Sequence, residues 1–134
     1  MLKENDVEYL LVGGYAVSFY GYPRPTGDID IWVSRGIENA YKLVAILGTF
    51  GFSSPDLIPD LFTLPKSVVR MGVEPFKLEI LTDIDGVQFD QCFSKRNLAV
   101  IDGVEISVID LEDLKTNKKA SGRLKDLNDL ENLA

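Results

Sequence analysis

The sequence predicts a mixed α/β (α+β) domain, one β-sheet flanked by helices, and three observations carry that expectation. Two β-compatible runs, Val7–Val12 and Asp28–Val33, bracket a short helical stretch. A segment with helical periodicity follows from Ile37. Two further strand pairs then precede a helical C-terminal end.

Val7 to Val12 is apolar and ends at Gly13-Gly14, a natural stop for a strand. Tyr15 to Tyr20 reads as a short helix, closed by Gly21 and fenced by Pro23 and Pro25. Asp28 to Val33 alternates polar and apolar positions and reads as a strand. From Ile37 the residues Ala40, Tyr41, Val44, Leu47 and Gly48 fall on one helical face, with Gly51 as the stop. Ser53 to Pro65 holds three prolines and predicts a loop with at most a short helix. Val68–Val73 and Phe76–Leu81 read as paired strands turning at Glu74-Pro75, and Asp83-Ile84-Asp85-Gly86 as a further turn, followed by Val87 to Phe89. Leu98–Ile101 and Val104–Val108 flank Asp102-Gly103, a strong hairpin signal. Asp110 is placed to cap a helix, with Asp113 at its third position and Ile109 able to staple onto Leu114. The last helix carries Leu124, Leu127, Leu130 and Leu133 at intervals of three.

At 134 residues the expectation is a single domain over 1–134, with the helices from about 110 packed on it. The 14 basic and 21 acidic residues leave a net charge of −7, so a polyanion would have to be met locally, not by a global positive field. The absence of histidine excludes a Ser-His-Asp triad, a Cys-His pair and histidine-ligated zinc. Cys92 stands alone, which excludes an intrachain disulfide and a two-cysteine metal knuckle, and reads as a small buried apolar residue. The first residues lack a signal-peptide pattern, and no apolar run approaches the roughly 20 residues a bilayer span needs. The expectation is a cytoplasmic chain with no membrane contact, whose chemistry rests on carboxylates, Lys/Arg, hydroxyls and backbone amides.

The informative segment is Leu11-Val12-Gly13-Gly14-Tyr15-Ala16-Val17, followed by Arg24-Pro25-Thr26-Gly27-Asp28-Ile29-Asp30-Ile31. Residues i and i+2 of a strand share a face, so Asp28 and Asp30 point one way, about 7 Å apart along the strand. Alone, such a pair is surface decoration, and a glycine pair is a tight turn. Together they place hard oxygen donors suited to Mg²⁺ beside bare backbone N–H groups where a phosphate can sit. That combination points to phosphoryl chemistry. Trp32 shares the Asp28/Asp30 face, where it either borders the site or is buried against a helix. Phe19, Tyr20 and Tyr22 read as packing.

The glycine pair after an apolar strand, then 13 residues, then Asp-x-Asp in a second strand resembles the signature of the DNA-polymerase-beta-like nucleotidyltransferase superfamily. The longer string GGYAVSFYG…RPTGDIDIWV is similar to the bacterial branch of AbiEii-type toxin nucleotidyltransferases and the aminoglycoside and lincosamide nucleotidyltransferases. A weaker similarity recurs in KKASGRLKD, from Lys118 to Asp126. The resemblance implies a nucleotidyltransferase fold. It further implies transfer of a nucleoside monophosphate from a nucleoside triphosphate to a hydroxyl acceptor with two Mg²⁺ ions, Mn²⁺ being an alternative. Asp28 and Asp30 would hold the metals, with Glu79 as third ligand and Asp83 and Asp85 as fallbacks. Gly13 and Gly14 would lie along the triphosphate. Arg24 and Thr26, together with Lys118, Arg123 and Lys125, would approach phosphate.

At this length the expectation is a catalytic domain without the acceptor domain of larger relatives. The acceptor, whether tRNA, a protein or a small molecule, would therefore be met on the surface, by a partner protein or in a homodimer. The AbiEii resemblance raises a toxin–antitoxin setting. The rival readings are a non-catalytic nucleotide- and Mg²⁺-binding module or partner subunit of the same fold, which Glu in place of Asp at the third acid favours, and a purely structural interaction domain.

Overall fold

The structure, a computed structural model, describes residues 7–21, 28–49, 57–73, 76–101 and 103–133. Gly51, Tyr22, Arg24, Thr26, the Glu74-Pro75 turn and Asp102 lie outside the described residues. Among the described residues six strands form one sheet: β1 (Tyr9–Val12), β2 (Asp28–Val33), β3 (Val68–Val73), β4 (Phe76–Leu81), β5 (Asn97–Ile101) and β6 (Val104–Val108). Their order across the sheet is β3-β4-β2-β1-β6-β5. β1 pairs antiparallel with β2 and parallel with β6, while β2 and β4 run parallel, so the expected mixed sheet is what forms. The helices are α1 (Gly13–Phe19), α2 (Ile37–Thr49), α3 (Phe89–Ser94), α4 (Leu111–Ser121) and α5 (Leu124–Asn132), with a 3₁₀ turn at Pro59–Phe62. No helix among the described residues is long and apolar enough to cross a membrane.

The two sheet faces bury separate cores, as strand alternation requires. Tyr9, Val33 and Ile80 point to the side covered by α2 and the 3₁₀ turn, with Phe62 in the same cluster. Leu10, Val12 and Trp32 point to the other side, against α1 residues Ala16 and Val17 and α4 residue Leu114. Asp110 caps α4 as expected, its carboxylate accepting from the backbone N–H groups of Glu112 (3.1 Å) and Asp113 (3.4 Å). Ile109 and Leu114 are both fully buried in one cluster, consistent with the staple.

Three local expectations need correction. The buried face of α2 is Asn39, Ala40, Leu43, Ile46 and Leu47, while Tyr41 is 64% exposed. The helix is turned by Asn39, whose amide donates to the carbonyls of Glu8 (3.2 Å) and Ser34 (3.1 Å) and accepts from Glu8 N–H (2.7 Å). Those bonds satisfy a loop's backbone groups that burial would otherwise leave orphaned. Of the leucines spaced every three residues at the C-terminal end, Leu124 is 85% exposed and Leu133 is buried, and the helix also buries Asp126 and Asp129. Finally, α3 forms directly after Gln88, where sequence periodicity gives no helix.

Candidate functional site

The junction of β1, α1 and β2 is built around a missing side chain. Gly13 has φ +67°, and a Cβ there would fall 2.2 Å from Asp30 Oδ2. Only glycine lets the acidic strand close on the turn this tightly, because any L side chain would meet both a backbone penalty and the Asp30 carboxylate. The sheet register completes the arrangement. Asp30 sits opposite Val12 of β1 on one side and opposite Glu79 of β4 on the other; Asp28 sits opposite Lys77. Asp28, Asp30 and Glu79 therefore share one sheet face, while Leu78 and Ile80 lie with the core beneath. Arg70 of β3 lies opposite Glu79 and donates its Nε–H to Glu79 Oε1. Sequence reasoning missed Arg70, although the hairpin register that the turn at 74–75 implies would have found it.

A cavity of about 310 Å³ opens at this junction, lined by Gly13, Gly14 and Asp30, by Asp83 and Asp85, and by Lys118 and Arg123. The Asp83–Asp85 wall is held from both ends. Gly86 packs so closely on α4 that a Cβ would meet Ala120 Cβ at 2.6 Å, and Asn117 donates to Asp85 O at 2.9 Å. On the strand side the buried Thr82 hydroxyl donates to Leu64 O (2.7 Å) and accepts from Ser67 N–H (2.8 Å), while its carbonyl accepts from Trp32 Nε1 (3.2 Å). Trp32 is thus buried, its ring edge-on to Phe89 of α3, and does not line this cavity.

The basic residues near the C-terminus are placed unequally. Lys118 is buried, its ammonium 2.9 Å from Asp126 Oδ1 and 3.2 Å from Asp129 Oδ2. Asp126 Oδ2 also accepts from Ser121 Oγ (2.6 Å) and Arg123 Nε (2.7 Å). Burial pushes the Asp126 carboxyl up, but the hydrogen bonds from Ser121, Lys118 and Arg123 outweigh it and bring it down to about 2. Arg123 is largely exposed and stands at the cavity edge. Lys125 lies on α5, and its side chain is outside the described residues, as are Arg24 and Thr26. Cys92 is buried as expected; burial, then the Asp113 carboxylate, push its thiol up to about 12. Tyr20 serves packing, its hydroxyl donating to Ile109 O and accepting from Asn97 at 2.6 Å.

Among the described residues no three Asp, Glu or Cys side chains converge into a ready-made metal cage. The paired carboxylates of one strand face, beside a glycine turn with a bare α-carbon, instead fit a Mg²⁺-like ion. Such an ion takes one or two carboxylates and completes its shell with phosphate oxygens and water.

No protein-family model matches the chain. No curated protein matches it either. Among solved structures it is similar to one from Thermotoga maritima described as a "putative nucleotidyltransferase", with a TM-score of 0.65 and 22% sequence identity, covering 98% of this chain and 84% of that one. The chain therefore shares a nucleotidyltransferase-like fold, a mixed six-stranded sheet flanked by helices.

Proposed function

We propose that the chain is a nucleotidyltransferase, moving a nucleoside monophosphate from a nucleoside triphosphate onto an acceptor hydroxyl. The observation that carries this reading is the contact of the Gly13 α-carbon with Asp30 at the mouth of the cavity. It brings the glycine turn and one carboxylate of the acidic strand to the same cavity. In the reaction the acceptor oxygen bonds to the α-phosphorus, the bond from that phosphorus to pyrophosphate breaks, pyrophosphate leaves, and the hydroxyl proton passes to water. Asp28 and Asp30 would hold Mg²⁺, with Glu79 beside them in register. The ion, when bound, supplies charge neutralisation on the phosphates and a more acidic acceptor hydroxyl. The Gly13-Gly14 backbone lies against the triphosphate because no side chain intervenes. Asp83 and Asp85 form the wall that keeps the opening narrow.

Thermal unfolding with each of the four ribonucleoside triphosphates, with and without Mg²⁺, tests the site. A ligand at 100 times its dissociation constant adds about 2.7 kcal/mol, a midpoint shift of several degrees for a domain this size. A Mg²⁺-dependent shift in wild type that is absent in Asp30→Asn is expected; no shift with any triphosphate overturns the proposal.

One observation favours the second reading, a binding module without turnover: the Arg70 guanidinium engages Glu79, the proposed third acid. Pyrophosphate release with Mg²⁺ and triphosphate separates the two, being present only in the enzyme. The toxin–antitoxin setting rests on the sequence resemblance. Its test is growth arrest on expression of the wild type and not of Asp30→Asn.

A further inference from the structure

The loop that walls the candidate site has a second cavity on its other side. About 830 Å³ in volume, it shares Asp83, Ile84 and Asp85 with the first and adds Arg35, Lys66 and Val68. This volume falls within the ~300–1,000 Å³ of small-molecule sites. Its lining divides by chemistry: Val68 and Ile84 give it an apolar wall, the two acids stand on the shared partition, and the cations Arg35 and Lys66 line this cavity and not the first.

The cations are held ready for an anion. Arg35 stands 3.6 Å from Asp83 Oδ2, with both side chains about two-fifths exposed, at 44% and 40%. That is too long for a good hydrogen bond, and an exposed pair of this kind contributes little, so the guanidinium fork can turn to a ligand at small cost. Lys66 has φ +54°, a left-handed conformation that a side chain rarely adopts, fixed by donation of its N–H to Asp83 Oδ2 at 2.7 Å. Asp83 thereby contacts the Arg35 guanidinium and the backbone of Lys66 at the partition. The partition itself is rigid, anchored to α4 by Gly86 and Asn117 and to the loop before β3 by Thr82.

We infer that this outer cavity binds the acceptor, and that the acceptor is a small hydroxyl compound carrying a phosphate monoester. Its phosphate meets Arg35 and Lys66, its body lies along Val68 and Ile84, and its hydroxyl reaches the first cavity over the Asp83–Asp85 edge that the two cavities share. An Arg fork beside a Lys point charge suits a phosphate dianion. The word acceptor rests on the nucleotidyl-transfer reading; the binding site does not.

The test therefore contains neither Mg²⁺ nor nucleotide. Backbone amide NMR signals of the ¹⁵N-labelled chain are followed during titration with ribose 5-phosphate, ribose, and a 5′-phosphorylated RNA trinucleotide. Ribose 5-phosphate is expected to shift Lys66 and residues 83–88 saturably, and ribose to leave them in place. Arg35→Gln and Lys66→Gln should each weaken binding about ten-fold, the effect of losing one charge-assisted hydrogen bond, with the remaining spectrum showing each variant folded. Shifts confined to Gly13 and Gly14, unchanged affinity in both variants, or equal binding of ribose overturns the site. Binding of the trinucleotide more than ten-fold tighter than ribose 5-phosphate overturns the small-molecule assignment. A chain that binds ribose 5-phosphate here yet never responds to Mg²⁺ and triphosphate would retain the site and lose the transfer reading.

Discussion

Two groups of charged side chains each put one member, Asp30 or Lys118, on the same cavity, and they differ in what surrounds them. On β2, Asp28 and Asp30 are half-buried on one sheet face, and Asp30 lines the cavity beside Gly13. Between α4 and α5, Lys118, Asp126 and Asp129 are closed off from solvent, and each charge is met by one inside the fold. A carboxylate that lines a cavity can be reached by a ligand, whatever partners it has within the fold. A carboxylate sealed against an ammonium has already been matched, and its worth lies in fixing two helices together. Charge near a site is therefore no measure of a role in the chemistry; the direction in which the charge is solvated is.

The largest effect that sharpens this contrast is on turnover. Asp30→Asn should lower nucleotidyl transfer by roughly 10³-fold, several kcal/mol of charge stabilisation, while the thermal midpoint changes little. Pyrophosphate release and unfolding measured on one preparation check both halves. Lys118→Met should do the reverse. It leaves Asp126 and Asp129 buried without their ammonium, a loss of about 3–5 kcal/mol and a midpoint drop of roughly 10 °C or more. Should Lys118→Met instead keep its stability and lose affinity for triphosphate, the contrast breaks and Lys118 belongs to the phosphate site that its sequence motif implies.

Gly13→Ala stands between the two regions in kind and in size. The left-handed backbone costs about 1–2 kcal/mol, which unfolding midpoints will show. The new Cβ would meet Asp30 Oδ2 at 2.2 Å, its Cγ at 2.9 Å and its Cβ at 3.0 Å, so the whole Asp30 side chain must shift. Relief of the clash thus comes by moving the very carboxylate the site needs. Activity should fall well beyond the factor that the stability change alone would give, as kcat measured at saturating Mg²⁺ would reveal.

The same contrast explains what could be seen in the sequence. The glycine turn and the Asp-x-Asp strand were legible because strand alternation is a local rule: naming the strand assigns Asp28 and Asp30 to one face. Glu79 was legible for the same reason. Arg70 needed the register of a hairpin as well as its alternation. Lys118 was unreadable in role, since its partners belong to a helix whose inward face is acidic. The even spacing of the leucines does not tell them apart: Leu124 is left in solvent while Leu133 is buried. The helix α3 has only six residues, too few for a period to declare itself, and it is held through Phe89 against Trp32. The inner face of α2 was set by Asn39 hydrogen-bonding to a distant backbone, which hydrophobic periodicity does not register.

The smallest predicted effect reads the sealed cluster by pH. The ordinary value of the Asp126 carboxyl is 3.8, and in the fold it lies at about 2. A depressed folded value means that the native state binds the proton less readily than the unfolded chain. The stabilisation is thus complete above about pH 4 and is lost as the pH falls toward 2. Its size is at most about 2.5 kcal/mol, because one pH unit of displacement corresponds to ~1.4 kcal/mol. Urea unfolding of the wild type between pH 5 and 2 should show this acid-side loss. In Lys118→Met one of the groups holding Asp126 down is gone, so the loss should shrink and be complete at a higher pH. An acid profile identical in the two proteins would mean that the α4–α5 cluster contributes no stability through its charges, and that its burial is an incidental consequence of how the helices pack.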